Sequence, residues 1–350
     1  MTDPDSTRSV VEVPLSRTGW EEVVRADPDA LVTQTPDWTA AVTRVGRWRD
    51  VSRMFDTPHG RVVVPIVRHR SSPSAAGIDA SLPPAYGFGG MVSEGGIHAE
   101  DLAAVLAALG SERRLRLSIR PNPLHEQAWN RAAAGWLKIP HCAHVVDLAG
   151  GADEVWSRMH TSARRGIRRA EKEGVEVTCD STGASLPGFF DLMDESRSRW
   201  AEDSNEPEWL ARWRVREDSL DKWRTISSSL GPACRVYTAT WKGEMVAGTI
   251  VLFGHNAHYT RGAMRKDPAG ESRANYALHW RALQDATAAG FRWYAMGESG
   301  TSSSLTRFKA QFGADAYDYH EYRRETLPIS KVDRAARSVV KRVIGFREAT

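Results

Sequence analysis

Apolar positions recur at helical spacing over Trp20–Ala26 and Pro36–Val45, the second opened by proline in its first turn. Val10–Val13 is short and β-branched, as a strand would be. Val51–Asp56 and Arg61–His69 alternate with the period of strands and flank Thr57-Pro-His-Gly60, a hairpin signal. After a Ser/Pro loop at Ser71–Ser74 and the glycine-rich Tyr86-Gly-Phe-Gly-Gly90, the pattern predicts four further elements. They are a helix at His98–Leu109, a strand at Leu115–Arg120, a helix at His125–Trp136 and a strand at His144–Leu148.

The second half follows a similar order. A helix over Ala152–Glu173 leads to a strand at Val175–Cys179, then to helical stretches at Leu186–Ala201 and Glu206–Ser229. Strands at Arg235–Trp241, Val246–Phe253 and Ala257–Ala263 are joined by links short enough for antiparallel hairpins. A helix at Asn275–Ala289, a strand at Arg292–Met296 and a last strand at Tyr317–Tyr322 complete it. A strand meander, a helix and another strand make an α+β layout, and its appearance twice points to a duplicated domain. The boundaries expected are 8–148 and 152–327, joined at Ala149-Gly150-Gly151, with a basic amphipathic helix over 331–350.

Composition narrows the possibilities. With 350 residues, 41% hydrophobic and 26% charged, the chain has the make-up of a folded protein of about two domains. No run approaches the ~18 apolar residues of a membrane helix, and the polar, acidic start lacks a signal-peptide core. Cys142, Cys179 and Cys234 are odd in number and far apart, which fits a reducing cytoplasm and excludes a disulfide scaffold. A net charge of +3 is too small for the whole surface to bind nucleic acid, and no DNA partner is expected. Only eight of 47 basic residues are lysines, so a lysine is the unusual choice here.

Several motifs fail on inspection. Gly87-Phe-Gly-Gly90 lacks the βαβ surroundings of a dinucleotide site, no Walker A segment occurs, and Gly297-Glu-Ser-Gly300 is one residue short of a hydrolase elbow. His141/His144 and His255/His258 sit at strand ends, where residues three apart face opposite ways, so no metal site is expected from them. The helix over 152–173 carries an apolar face of Trp156, Met159, Ala163, Ile167 and Ala170. Arg158, Arg165, Arg169 and Lys172 form a separate basic stripe, and Lys331–Arg347 repeats this theme with Lys341 and Arg342. Such stripes are solvated faces or phosphate-contacting ones, and the terminal one also suits peripheral contact with a membrane surface.

Three segments together resemble the Fem-type, tandem branch of the GNAT superfamily. They are Gln34-Thr-Pro-Asp-Trp38, then Arg164-Arg-Gly-Ile-Arg-Arg-Ala-Glu-Lys-Glu-Gly-Val175, then a long third block. That block runs from His258-Tyr-Thr-Arg-Gly-Ala263 through Asn275-Tyr-Ala-Leu-His-Trp280 and Gly290…Gly297 to Leu305-Thr-Arg-Phe-Lys-Ala-Gln-Phe-Gly313. The resemblance implies two GNAT-like domains with mixed, mostly antiparallel sheets flanked by helices. It also implies transfer of an aminoacyl group from aminoacyl-tRNA to an amine on a cell-wall precursor or specialised metabolite, with no cofactor. Two features depart from relatives. The glycine-rich loop that holds CoA pyrophosphate in ordinary GNAT enzymes is replaced by Pro268-Ala-Gly-Glu-Ser-Arg-Ala-Asn-Tyr276, and residues 186–229 are too short for a helical-hairpin arm. An acyl-CoA N-acyltransferase and a non-catalytic tRNA- or partner-binding protein remain alternatives.

By the same resemblance Lys309 faces the reacting ester, where an ammonium would stabilise the developing oxyanion. Glu298 is a candidate base, Phe308 and Tyr259 candidate substrate contacts, and Arg261, Arg265 and Arg273 candidate holders of an anionic acceptor. The basic stripes, Arg158, Arg165, Arg169, Lys172, Lys341 and Arg342, are the expected tRNA contacts.

Overall fold

The computed structural model describes residues 15–72, 77–83, 86–204, 218–300, 302–327 and 330. The expected strand at Val10–Val13, the start of the helix over 206–229 and the terminal basic helix with Lys341 and Arg342 lie outside them. The chain divides into two compact units. One holds the residues up to Ala143 and those from Tyr317; the other holds His144–Ala316 and Ser330.

In the first unit, α1 (Arg17–Ala26) and α2 (Pro36–Val45) start on side-chain caps from Ser16 and Thr35. Short β1 (Trp48–Asp50) precedes the hairpin of β2 (Arg53–Thr57) and β3 (Gly60–Val64), which turns where the sequence places it, with Thr57 opposite Gly60. The expected strand over 61–69 is two strands, because Pro65 has no amide to donate. β3 stops at Val64, Ile66 N donates to Ser52 Oγ (3.0 Å), and β4 (Val67–His69) joins another sheet. β5 (Ile78–Ala80), β6 (Val92–Ser93), α3 (Ala99–Ser111), β7 (Arg116–Ile119) and α4 (Glu126–Ala132) follow. β3 also pairs with β6; β4 pairs with β1 and β5, and β5 runs parallel to β7. Phe55, Leu102, Leu106, Leu117, Trp129 and Tyr322 belong to one buried core.

β8 (Leu137–Asp147) carries the chain into the second unit. There the single helix expected over 152–173 is two, α5 (Gly151–Arg158) and α6 (Thr161–Lys172). Met159 is extended (ψ 143°), and His160 caps α6 by accepting from Ser162 N (3.2 Å). β9 (Glu176–Asp180), α7 (Leu186–Ser204), α8 (Leu220–Leu230), β10 (Cys234–Trp241), β11 (Glu244–Phe253) and β12 (Ala257–Met264) follow. The antiparallel order β9-β10-β11-β12 is the expected meander with one strand added at its edge. Beyond it come α9 (Lys266–Ser272), α10 (Ala274–Ala288), β13 (Trp293–Glu298) and α11 (Ser303–Ala310). Helix α10 packs on β10 and β11, and α7 on β11 and β12. From Val246 onward β11 is therefore buried without alternation.

The last strand corrects the expected boundary at 327. β14 (Asp315–Glu325) pairs with β7, Tyr322 opposite Ile119 and Glu325 opposite Arg116, so residues from Tyr317 complete the first unit. The architecture is α+β, with mostly antiparallel sheets flanked by helices.

Candidate functional site

β12 and β13 are parallel neighbours over only two positions, Ala257 opposite Tyr294 and His258 opposite Ala295. A register shift in the β11–β12 ladder falls at the same level, between Ile250 and Val251. A bulge there bends β12 just where its pairing with β13 ends. β13 itself finishes on Gly297, whose φ of +69° suits glycine, and Glu298.

Lys309 of α11 reaches this strand end. It is 2% exposed, and its Nζ donates to the carbonyls of Gly297 (3.0 Å) and Glu298 (2.7 Å). The expectation of a lysine aimed at a substrate thus meets a buried ammonium that also ties α11 to β13. Its segment is held from other sides too. Tyr276 Oη donates to Gln311 Oε1 (2.8 Å), His160 N donates to Gln311 O (2.9 Å), and Gly313 takes φ +77° beside the Arg158 carbonyl. Phe312 is fully buried, and Phe308 and Phe312 pack edge-to-face at 5.2 Å between ring centres.

His279 joins the expected aromatic residues. Its ring lies 5.2 Å from Tyr259 and 5.5 Å from both Phe308 and Phe312. Burial pushes this imidazole down to about 3, and the charge of Lys309 acts in the same direction. Burial likewise takes His258 down to about 4, with Arg261 assisting. His144 is lowered by burial and then by Lys309, and its Nδ1 lies 3.3 Å from Ser299 Oγ. His258 and His279 are therefore neutral at physiological pH and too weakly basic to serve as general bases, and the charge of Lys309 acts on both His279 and His144. Sequence reasoning passed over His279; its spacing of three from Tyr276 on one helix was the available signal.

The arginines expected to hold an anion are mostly engaged. Arg261 makes a two-pronged pair with Asp218 (2.9 and 3.1 Å), which Arg197 also contacts (2.9 Å). Burial alone would raise the Asp218 carboxyl, but Arg261 and its other partners hold it below its usual range. Arg265 pairs with Glu195 (3.0 Å) and Glu244 (3.1 Å). Arg273 is exposed and sits at φ +62°, a conformation costing a non-glycine residue about 1 kcal/mol.

On the basic stripe, Arg165, Arg169 and Lys172 are exposed along α6, and Arg169 lies 3.9 Å from Glu173. Arg158 donates instead to the carbonyls of Asp147 (2.6 Å) and Ala149 (3.1 Å). Gly166, within the same stripe, lies against Tyr276, and a Cβ there would come within 2.8 Å of the ring. Gly166→Ala should therefore destabilise the protein by about 1–3 kcal/mol, read as a lowered urea midpoint, despite alanine's better helix propensity.

These features place the chain with known proteins. Residues 157–317, most of the second unit, match the family model of the acetyltransferase (GNAT) domain. Solved structures share the fold of the chain. FemX shares it at TM-score 0.65 and 12% identity, over 91% of this chain and 98% of that one. The C-terminal domain assigned to a lysylphosphatidylglycerol synthetase from Agrobacterium fabrum shares it at TM-score 0.50 and 16% identity, over 96% and 99%. A conserved Bacteroides thetaiotaomicron protein of unknown function does so at TM-score 0.52 and 8% identity, over 90% and 98%. Among curated proteins none matches the sequence significantly. Among the described residues no helix is long and apolar enough to cross a membrane.

Proposed function

We propose that the protein forms an amide by moving an aminoacyl group from aminoacyl-tRNA to an amine acceptor on a cell-wall precursor or specialised metabolite. The observation that carries this reading lies between β12 and α10. Where a CoA-dependent relative would offer glycine-rich backbone N–H groups to a pyrophosphate, residues 266–272 form a helix. Ala269 N bonds to Arg265 O within that helix, and Tyr276 N, in the first turn of α10, bonds to Arg273 O. A donor held by other means suits that arrangement, and exposed Arg165, Arg169 and Lys172 offer phosphate contacts.

The ester of aminoacyl-tRNA is already activated. The acceptor amine attacks its carbonyl carbon, the carbonyl oxygen becomes negative, and collapse expels the ribose oxygen, which takes up a proton. Lys309 supplies the positive charge for the oxyanion, its carbonyl partners fixing where that charge sits. Glu298 takes the proton from the amine, while Tyr259 and Phe308 line the reacting end. Arg273 is the arginine best exposed to meet an anionic acceptor.

An acyl-CoA N-acyltransferase is the second reading, favoured by the family match over 157–317. Thermal shifts with acetyl-CoA, deacylated tRNA and aminoacyl-tRNA separate the two. Stabilisation by tRNA species and RNase-sensitive product support the first reading; stabilisation and full turnover with acetyl-CoA after RNase treatment defeat it. Binding of tRNA should weaken as salt rises. The triple change of Arg165, Arg169 and Lys172 to Gln should flatten the log–log salt slope by about 2–3, at about 0.7–0.9 per lost phosphate contact. An unchanged slope would place the tRNA elsewhere.

A further inference from the structure

The first unit carries a cluster unrelated to the acyl-transfer site. His59 lies in the β2–β3 turn, His98 immediately precedes α3, and Glu100 is in the first turn of that helix. The segments are in close contact, for a Cβ on Gly95 would fall 1.9 Å from the His59 carbonyl oxygen. Each histidine has one ring nitrogen committed. His59 Nδ1 donates to Asp101 Oδ2 (2.9 Å), leaving the Nε2 lone pair 3.8 Å from Glu100 Oε1. His98 Nε2 donates to the Gly95 carbonyl (2.9 Å), leaving its Nδ1 lone pair. A carboxylate or backbone carbonyl behind each imidazole is the outer arrangement that fixes the tautomer of a metal ligand.

We propose that His59 Nε2, His98 Nδ1 and the Glu100 carboxylate bind a divalent zinc-class cation that clips the β2–β3 hairpin to α3. The two rings stack with centres 3.8 Å apart and planes 11° from parallel, so one must turn out of the stack for both lone pairs to meet a single ion. Further observations support the site. Asp101 is 2% exposed, and its Oδ1 has no hydrogen-bond partner among the described residues, leaving part of a buried negative charge uncompensated. Glu100 and Asp101 together balance a dication and offset the positive end of α3. The three ligand atoms lie within 4.8 Å of one another. Bonds of ~2.0–2.1 Å in a tetrahedral site bring ligand atoms to roughly 3.3 Å, so the side chains must close by about 1–1.5 Å. His59 and Glu100 are exposed and have room to do so.

The competing account is a plain His59–Asp101 ion pair with Glu100 nearby, and titration decides between them. Untagged, chelator-treated protein is titrated calorimetrically with Zn2+, and Co2+ absorption reports the ligand geometry. The expected result is one equivalent bound and tetrahedral Co2+ bands. His59→Gln and Glu100→Gln, both at exposed positions, should each weaken binding at least tenfold, and Asp101→Asn by about 10–100-fold. Cys179→Ser should leave binding intact, since Cys179 is the exposed cysteine. Zinc should also raise the melting temperature of the parent but not of Glu100→Gln. Absence of stoichiometric binding, or binding indifferent to His59→Gln and Glu100→Gln, would overturn the site.

Discussion

Lys309→Met is expected to lower turnover by roughly 10²–10³-fold, the usual cost of losing one oxyanion donor. Methionine keeps much of the side chain's length and apolar stem, so what is removed is the charge. The structure adds a second effect absent from the sequence argument. The ammonium serves the Gly297 and Glu298 carbonyls, and leaving buried acceptors unpaired costs about 1–3 kcal/mol each. The variant should therefore melt earlier as well as react more slowly. Turnover measured well below the variant's melting temperature separates the two. A folded Lys309→Met protein with near-parental turnover would leave Lys309 a structural tie only. Retained tRNA affinity with lost turnover is the signature of the catalytic role.

Acid should destabilise the second unit well above the pH at which carboxylates titrate. His258 and His279 are held near 4 and 3 in the folded chain, against about 6.5 unfolded. Between those values the unfolded chain binds more protons, so stability is fully present above about pH 6.5 and falls as pH drops towards 4. From pH 7 to pH 5 each buried neutral histidine forfeits about 2 kcal/mol, roughly 4 for the pair. For a domain of this size that is a fall in melting temperature of roughly 10 °C. Asp218, depressed by its arginines, loses its contribution only at lower pH. His279→Phe places another ring beside Phe308 and Phe312 and removes one titrating group. Its pH 7 to pH 5 loss should shrink by about half, as followed by circular dichroism melts at both pH values. An equal loss in parent and variant would show that His279 does not titrate in this window.

Strands and helices with strong periodicity were legible: the β2–β3 hairpin, the β10–β11–β12 meander and α10 lie where the pattern puts them. Three features were not, each for a tertiary reason. The break at Met159–His160 interrupts an unbroken apolar stripe, and a partner 151 residues on holds it open, His160 N bonding to Gln311 O. The single strand expected over 61–69 divides at buried Pro65, and which sheet each piece joins is decided by partners distant in sequence. The pairing of β14 with β7 leaves no mark on either strand's own pattern. At the site, the Phe308-Lys-Ala-Gln-Phe-Gly313 segment stood out by composition and by resemblance. The neutral histidines around it did not, because burial alone sets their character and a linear sequence does not display it. Arg261 illustrates the converse: a cation that reads as a ligand holder is committed to Asp218, 43 positions away.

The return of β14 to the first unit also governs the order of events during synthesis. Strand β7 leaves the ribosome about 200 residues before the strand that lies beside it. At roughly 5–20 residues per second that interval is about 10–40 s. Residues 144–316 of the second unit emerge within it. The half of the chain begun first thus waits for the other before its sheet is complete, and until then the edge of β7 stands open to any other strand that comes near.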